Sequence, residues 1–335
     1  MNHTPYPKIE LHVHLEATVR PQRLLAIARR NDVRLPARDV AGLERICRFR
    51  GFAEFIEVWI ATTAALRRAR DFREITVEYA AELARQGCRY AEAVFSPAEP
   101  VSRGVPWREV FEGYCDGAQE AREAYGVELR FTPDITRAFA PEVGEQVAAW
   151  ALAYRERGVV GIGLGGDELR YPPASFSRAF AIAREGGLKA APHAGETAGP
   201  ESIRSALDDL HADRLRHGVR AVDDAALLAE LAQRGIVCDV TPVSNLRTGV
   251  VRTLGEHPLP ALLAAGVKCS VSSDDPALMQ TSLQENCAAA IRLGHTARAM
   301  YEHALAGAFC DARTRARLLD AADAYDWAAA SATTM

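Results

Sequence analysis

Short apolar or β-branched runs recur at Ile9 to His14, Cys88 to Phe95, Val127 to Ile135, Val159 to Leu164, Leu188 to His193, Arg214 to Gly218, Ile236 to Thr241 and Val267 to Ser273. Their length and composition predict eight strands. Between them lie helical patterns such as "EVGEQVAAWALAYRERG" and "DDAALLAELAQRG", the first continuing from Ala140-Pro141 and each ending at a glycine able to cap it. Strand and helix in alternation imply a parallel sheet, and eight repeats suit closure of that sheet on itself, so the pattern predicts an α/β fold of the (β/α)8 TIM barrel type. The first connection, about residues 15–87, holds about three helical patterns where a few residues would suffice, and is expected to form a helical lid insertion. Within it "RGFAEFIEVWIATTAALR", Arg50 to Arg67, sets Phe52, Phe55, Ile56, Trp59 and Ile60 on one helical stripe. Such a stripe packs, and its first turn can also roof a pocket. Helical patterns from Ser282 to Trp327 exceed one closing helix. With no linker or repeat, one domain over residues 1–335 is expected.

Composition removes several classes of function. A chain of 335 residues, 48% hydrophobic and 25% charged, buries a large core without disulfides or a structural metal. A formal net charge of −4 with no long single-sign run gives no face for nucleic acid or an acidic membrane. The opening "MNHTPYPKIE" lacks the apolar core of a signal peptide, and no apolar run reaches the ~18 residues of a membrane span. Seven cysteines, odd in number and without a C-x-x-C pair, read as scattered reduced thiols, so a cytoplasmic location is expected.

The stretch "GVVGIGLGGDELRYPP" contains Gly161-x-Gly163-x-x-Gly166, the spacing of a dinucleotide fingerprint. That fingerprint needs glycines leading into a helix whose free N–H groups hold a diphosphate. Here they run into Asp167-Glu168, which would repel it, and Pro172-Pro173 would break the helix. A nicotinamide enzyme is therefore disfavoured.

In a barrel of this kind chemistry gathers where the strands end. The first ends in "LHVHLE", where His12 and His14, two apart, point to one face. The fifth ends in "PHAGET" with His193 and Glu196, the sixth in "LRHGVR" with His217, and the eighth in "VSSDDPAL" with Asp274 and Asp275. Each motif alone is weak: a lone H-x-H is usually structural and Asp-Asp before proline is usually a turn. Four of the nine histidines nevertheless fall at the ends of strands one, five and six. Three neutral imidazoles and one carboxylate suit Zn²⁺ with room for a water, whose pKa falls from about 15.7 to about 7 on the metal. The class expected is metal-assisted hydrolysis, with Glu196 near enough to shuttle protons and His217 and Asp275 able to orient the nucleophile or bind substrate. Lys189 stands at a strand start, so no strand-end lysine suggests a second metal.

Together these residues resemble the adenosine deaminase family of the amidohydrolase superfamily. The resemblance runs over nearly the whole chain, from "PKIELHVHLEATVRP" through "RYAEAVFSP", "GVVGIGLGGDE", "HAGET", "RHGVRA" and "TPVSNL" to "SSDDPAL". It implies His12, His14, His193 and Asp274 as ligands of one zinc ion, with His14 also at the substrate. It implies Glu196 as the acid protonating purine N1, His217 as the group positioning the water, Asp275 as a partner of that water and of purine N7, and the Gly166 N–H facing purine N3. Gly163 and Gly165 then become packing glycines. The other zinc deaminase type, with H-x-E and P-C-x-x-C, is absent. Three positions depart from the family pattern: Ala17 replaces a turn glycine, Gly163 an acidic residue and Arg216 a glycine. By strand alternation Arg216 is expected to point to the side opposite His217. The expected activity is zinc-dependent deamination of a 6-aminopurine nucleoside, adenosine or a 5′-modified relative. Adenine and 6-amino-deoxyfutalosine deaminases are the alternatives within the family, and a non-catalytic purine-binding member is the alternative outside enzymes. Glu16, just past the histidine pair, is expected to meet what hangs from purine N9 and to disfavour phosphate.

Overall fold

Each of the eight runs forms a strand in the computed structural model, which describes residues 5–328 and so leaves the first four residues of the opening stretch outside. The strands are β1 Lys8–His14, β2 Cys88–Val94, β3 Glu128–Phe131 resuming at Asp134–Thr136, β4 Gly161–Gly165, β5 Lys189–Ala190 resuming at His193–Ala194, β6 Arg214–His217, β7 Val237–Val240 and β8 Lys268–Val271. Pro133 and Pro192 explain the two interruptions, because a proline has no N–H to give to a ladder. All pairings are parallel: β1 with β2, β2 with β3, β3 with β4, β4 with β5, β5 with β6, β6 with β7 and β7 with β8. Val13 pairs with Asp274 just beyond β8, the His14 N–H donating to the Asp274 carbonyl at 2.8 Å and the Asp274 N–H to the His12 carbonyl at 3.1 Å. Every residue of β1 is buried, as expected for a parallel strand covered on both faces. The result is an α/β fold built on parallel strands.

The first connection carries a one-turn helix at Leu15–Thr18 and four α-helices, one more than the pattern suggested: α1 Pro21–Arg30, α2 Val40–Ile46, α3 Phe52–Thr63 and α4 Ala69–Arg85. Ala17 sits in the one-turn helix without a positive φ, so alanine serves where glycine was the expected residue. The helix after β3 runs only Pro141–Ala153, then tightens into a 3-10 turn that ends at Gly158 with φ +105°. Ala225–Arg234 ends as its sequence predicts, at Gly235 with φ +68°, and at its start the Asp224 carboxylate accepts from the Ala226 and Leu227 N–H groups. Among the described residues three α-helices follow the last strand, Leu283–Arg292, Ala297–Gly307 and Ala312–Asp323.

Charge enters the interior between the strands. Arg214 is wholly buried, with Nη1 2.6 Å from Glu92 of β2, Nε 2.6 Å from Asp239 of β7, and further donors to the carbonyls of Gly307 and Leu11 at 2.7 and 3.1 Å. One guanidinium thus ties four segments to β6 and is shared by two buried carboxylates. Removing one partner from such a group strands the others, so Arg214→Met is expected to destabilise the fold by about 3–5 kcal/mol. Urea unfolding with a midpoint within error of the parent would refute that role.

Candidate active site

Four side chains from three strand ends converge at the carboxyl edge of the strands. His12 Nε2 lies 3.0 Å from His193 Nε2 and 3.1 Å from Asp274 Oδ1; His14 Nε2 lies 3.2 Å from the same His193 nitrogen and 3.5 Å from the same Asp274 oxygen. All four residues are buried. The His193 Nδ1–H donates to the Leu164 carbonyl at 2.9 Å, which leaves its Nε2 lone pair aimed into the cluster. Three ring nitrogens and a carboxylate oxygen crowded in this way cannot all be satisfied by shared protons. A tetrahedral ion with bonds of about 2.0–2.1 Å would hold its donors about 3.3 Å apart, and the observed separations bracket that value. Burial and the neighbouring imidazoles push the His193 pKa well below the ordinary range, and burial does the same for His14 against the pull of Asp274, so both stay neutral and able to ligate. The donor set fits a small divalent ion.

Glu196, His217 and Asp275 stand beside this cluster. His217 Nε2 is 3.5 Å from Glu196 Oε2 and 3.9 Å from Asp274 Oδ2. Burial, reinforced by the Asp274 charge, raises the Glu196 and Asp275 pKa values well above the carboxylate range, so both tend to keep a proton. Asp275 Oδ1 is buried without a hydrogen-bond partner. Both His217 and Asp274 adopt left-handed backbone, at φ +63° and +64°, a conformation costing a non-glycine residue roughly 1–2 kcal/mol.

The glycine-rich stretch ends in a carboxylate whose use its sequence did not reveal. Glu168 is buried and accepts from the N–H groups of Gly195, Glu196, Thr197 and Ala198 at 2.5 to 3.1 Å and from the Ser202 hydroxyl at 2.5 Å. It therefore fixes the loop that carries Glu196. Glu10 does similar work on the last strand, accepting from the Ser273 N–H and hydroxyl at 2.9 and 2.6 Å and from the Tyr79 hydroxyl at 2.6 Å, directly before Asp274. Glu10 sits in an apolar strand run and Glu168 in the loop after β4, and neither position gives a sign of the distant loop it holds, so both roles were missed.

Arg216 corrects an expectation. It does not turn away from the side of His217 but lies wholly buried in the interior, bonded to Asp134 Oδ1 and to the Thr132 hydroxyl, the latter at 2.7 Å. It shares the inward face of β6 with Arg214, two residues earlier, and the left-handed turn at His217 breaks the alternation that would have sent that ring outward. Gly163 makes room: a Cβ there would collide with both Asp134 Oδ1 and Arg216 Nη1. A Cβ at Gly165 would lie 2.5 Å from Asp134 Oδ2, the oxygen 3.4 Å from His193 Nδ1. These two glycines clear space for an ion pair under the histidine cluster.

A cavity of about 160 Å³ opens over the cluster. His14, Glu196, His217, Asp274 and Asp275 face it, Gly165 and Gly166 border it, and Phe52, Phe55, Ile56, Trp59 and Ile60 of α3 close it. The stripe thus both packs and lines the cavity, with Phe55 and Trp59 also in an apolar cluster with Phe49 and Met279. Gly166 holds φ +107°, which accounts for glycine there without steric pressure from its neighbours. Glu16 is not part of the cavity wall. Its one-turn helix directs Oε1 to the Ser96 N–H at 2.7 Å, while Oε2 is buried without a partner, and it is Ser96 and Glu99 that border the cavity on that side.

The family model described as adenosine deaminase matches residues 7–325. The chain is 45% identical over 334 residues to an aminodeoxyfutalosine deaminase of Acidothermus cellulolyticus, covering 98% of this chain and 94% of that protein. It superposes on an adenine deaminase from Arthrobacter aurescens with a TM-score of 0.90 at 30% identity, covering 96% of this chain and 98% of that one. An amidohydrolase from Burkholderia ambifaria with bound zinc gives a TM-score of 0.90 at 28% identity over 98% of this chain and 92% of that one. With the match spanning nearly its whole length, the chain belongs to the adenosine deaminase family and is a metal-dependent aminohydrolase.

Proposed function

We propose that the chain is a single closed (β/α)8 barrel whose residues 15–87 cover a mononuclear zinc site, and that it hydrolyses the 6-amino group of a purine nucleoside carrying a 5′ modification. The bonds between β1 and the end of β8 support closure. The seven cysteines, all free, and the absence of any helix in the described residues long and apolar enough to cross a membrane suit a cytoplasmic enzyme. His12, His14, His193 and Asp274 would hold the ion. The observation carrying the reading is the donor set beside Glu196, a carboxyl group held protonated at the wall of a cavity closed by apolar and aromatic side chains.

A divalent ion in that cluster supplies an activated water at neutral pH. Glu196 donates its proton to ring N1 as the oxygen adds to C6, so the ring never carries a full negative charge on nitrogen. His217 and Asp275 flank the attacking oxygen. Asp275, holding its proton, can also donate to N7, an acceptor; the Gly166 N–H lies on the side proposed for N3. Water's first proton replaces the one Glu196 gives to N1, its second passes to the amino group, ammonia departs, and a 6-oxopurine remains. Ser96 and Glu99, backed by Glu16, lie where the N9 substituent would sit, and a carboxylate there disfavours phosphate.

The 45% relative favours a 5′-modified nucleoside of the aminodeoxyfutalosine kind. One observation favours free adenine instead: 160 Å³ falls below the roughly 300–1,000 Å³ of sites for drug-sized ligands, so a nucleoside requires α3 to move while a bare base does not. A panel of adenine, adenosine, 5′-modified adenosines and AMP, followed by loss of the 6-amino chromophore, separates these readings. A 5′-modified nucleoside is expected to show the highest kcat/KM and AMP a low one; AMP as the best substrate would overturn this account of the pocket.

Two substitutions test the roles. Asp274→Ala removes the anionic ligand and is expected to lose both metal and activity, and retention of about one metal ion per chain by elemental analysis would remove Asp274 from the ligand set. Glu196→Gln keeps the size and cannot deliver a proton, so kcat is expected to fall by ~10²-fold or more with metal content unchanged. Turnover near that of the parent would reduce Glu196 to a structural residue.

A further inference from the structure

We propose that Asn245 and His257 are positioning residues that fix the tautomer of His217, keeping its proton on Nε2, toward the reacting centre, and its lone pair on Nδ1. The inference rests on the reading that His217 works at that centre. Neither residue touches the cavity, and both are buried, as is His217.

The assignment follows from donors and acceptors taken in order. The Leu259 backbone N–H donates to His257 Nδ1 at 3.0 Å, so that nitrogen carries no proton. A neutral imidazole with a bare Nδ1 has its proton on Nε2, and burial, which pushes the His257 pKa down to about 4, keeps the ring neutral. His257 Nε2 lies 3.1 Å from Asn245 Oδ1 and must donate to it. The amide is thereby oriented, and its Nδ2, a donor only, faces His217 Nδ1 at 3.3 Å. His217 Nδ1 must accept, so the His217 proton sits on Nε2, facing Glu196 and Asp274 at 3.5 and 3.9 Å. Thr241 cannot set this alone, because its hydroxyl lies 3.2 Å from His217 Nδ1 and 3.4 Å from Asp274 Oδ2 and its one proton serves either. The backbone amide of Leu259, at the start of the helix Leu259–Ala264, thus decides, through two side chains, which nitrogen of His217 is the donor.

The chemical consequence is specific. An Nε2 that already holds a proton cannot remove one from water. His217 then acts by donating a hydrogen bond to the attacking oxygen, directing its lone pair, and the water proton leaves through Glu196, which is free to take it once its own proton has gone to N1.

The test is nitrogen-15 NMR on the metal-loaded protein labelled at histidine, with His217 identified by the signals lost in His217→Ala. The parent is expected to show His217 Nε2 as the protonated nitrogen and Nδ1 as the bare one. Asn245→Asp, which can only accept from Nδ1, is expected to exchange the two signals and lower kcat by at least about 10-fold, with KM and metal content little changed; a reversed tautomer in the Ser-His-Asp triad costs about 10⁴-fold. His257→Gln, which keeps a donor toward Asn245 Oδ1, is expected to retain the parent tautomer and most of kcat, whereas His257→Met loses both, and this pair carries the test should Asn245→Asp fail to fold. A parent His217 protonated on Nδ1, or an Asn245→Asp protein with unchanged signals and turnover, overturns the inference. A parent without activity on any 6-aminopurine would overturn the functional reading instead, and the nitrogen shifts would still decide the tautomer.

Discussion

A charged group taken out of water must find its opposite within a few ångströms or lose its charge, and this rule organises the interior of the protein. Arg214 lies between Glu92 and Asp239, while Arg216 lies on Asp134. The pairs form two levels along β6, and the upper one stands directly beneath His193. The level beneath the histidines therefore carries no net charge, since Arg216 offsets Asp134. The ligand cluster above is left with the single negative charge of Asp274, which suits a divalent ion plus a nucleophile of one negative charge.

Carboxylates hold the surrounding loops by a different means. Glu168 gathers four consecutive backbone N–H groups and so presets the turn bearing Glu196; Glu10 pins Ser273 and thereby the left-handed Asp274. Strained backbone at His217 and Asp274 persists because bonds on both sides over-determine it, as with the Asp274 N–H and carbonyl locked to β1 and the Gly218 N–H donating to the Ala194 carbonyl at 3.0 Å. Glu196, His217 and Asp274 are thus each held by bonds to distant segments, and the aromatic stripe of α3 contributes the apolar cover.

Much of this was legible in the sequence because it follows from periodicity. Eight strand positions and the helix end at Gly235 are local signals, and the structure has an element at each. The four side chains at the metal cluster were legible for the same reason: each stands at a strand end. What escaped depends on contacts between distant segments. Nothing local says that Glu168 will reach residues 195–198, or that Arg214 will meet Glu92 across 122 positions. The direction of Arg216 was misjudged because alternation presumes regular strand dihedrals, and His217 does not have them. Glu16 was expected to meet the group on purine N9, and the turn that directs it to the Ser96 N–H instead was not legible.

The Gly163 and Arg216 departures are two halves of one exchange. A guanidinium at position 216 requires the volume that any side chain at 163 would occupy, since even a Cβ there would overlap both Asp134 and that guanidinium. With glycine at 163, the carboxylate beside His193 Nδ1 comes from Asp134 on the neighbouring strand, and Arg216 makes its burial tolerable. Either position changed alone would leave a collision or an unpaired buried charge, so the two are constrained to vary together, and neither by itself argues for a different substrate. The cavity wall formed by Ser96, Glu99 and α3 is a different surface, separate from this ion pair, and the apolar cover of α3 limits the size of what can enter there.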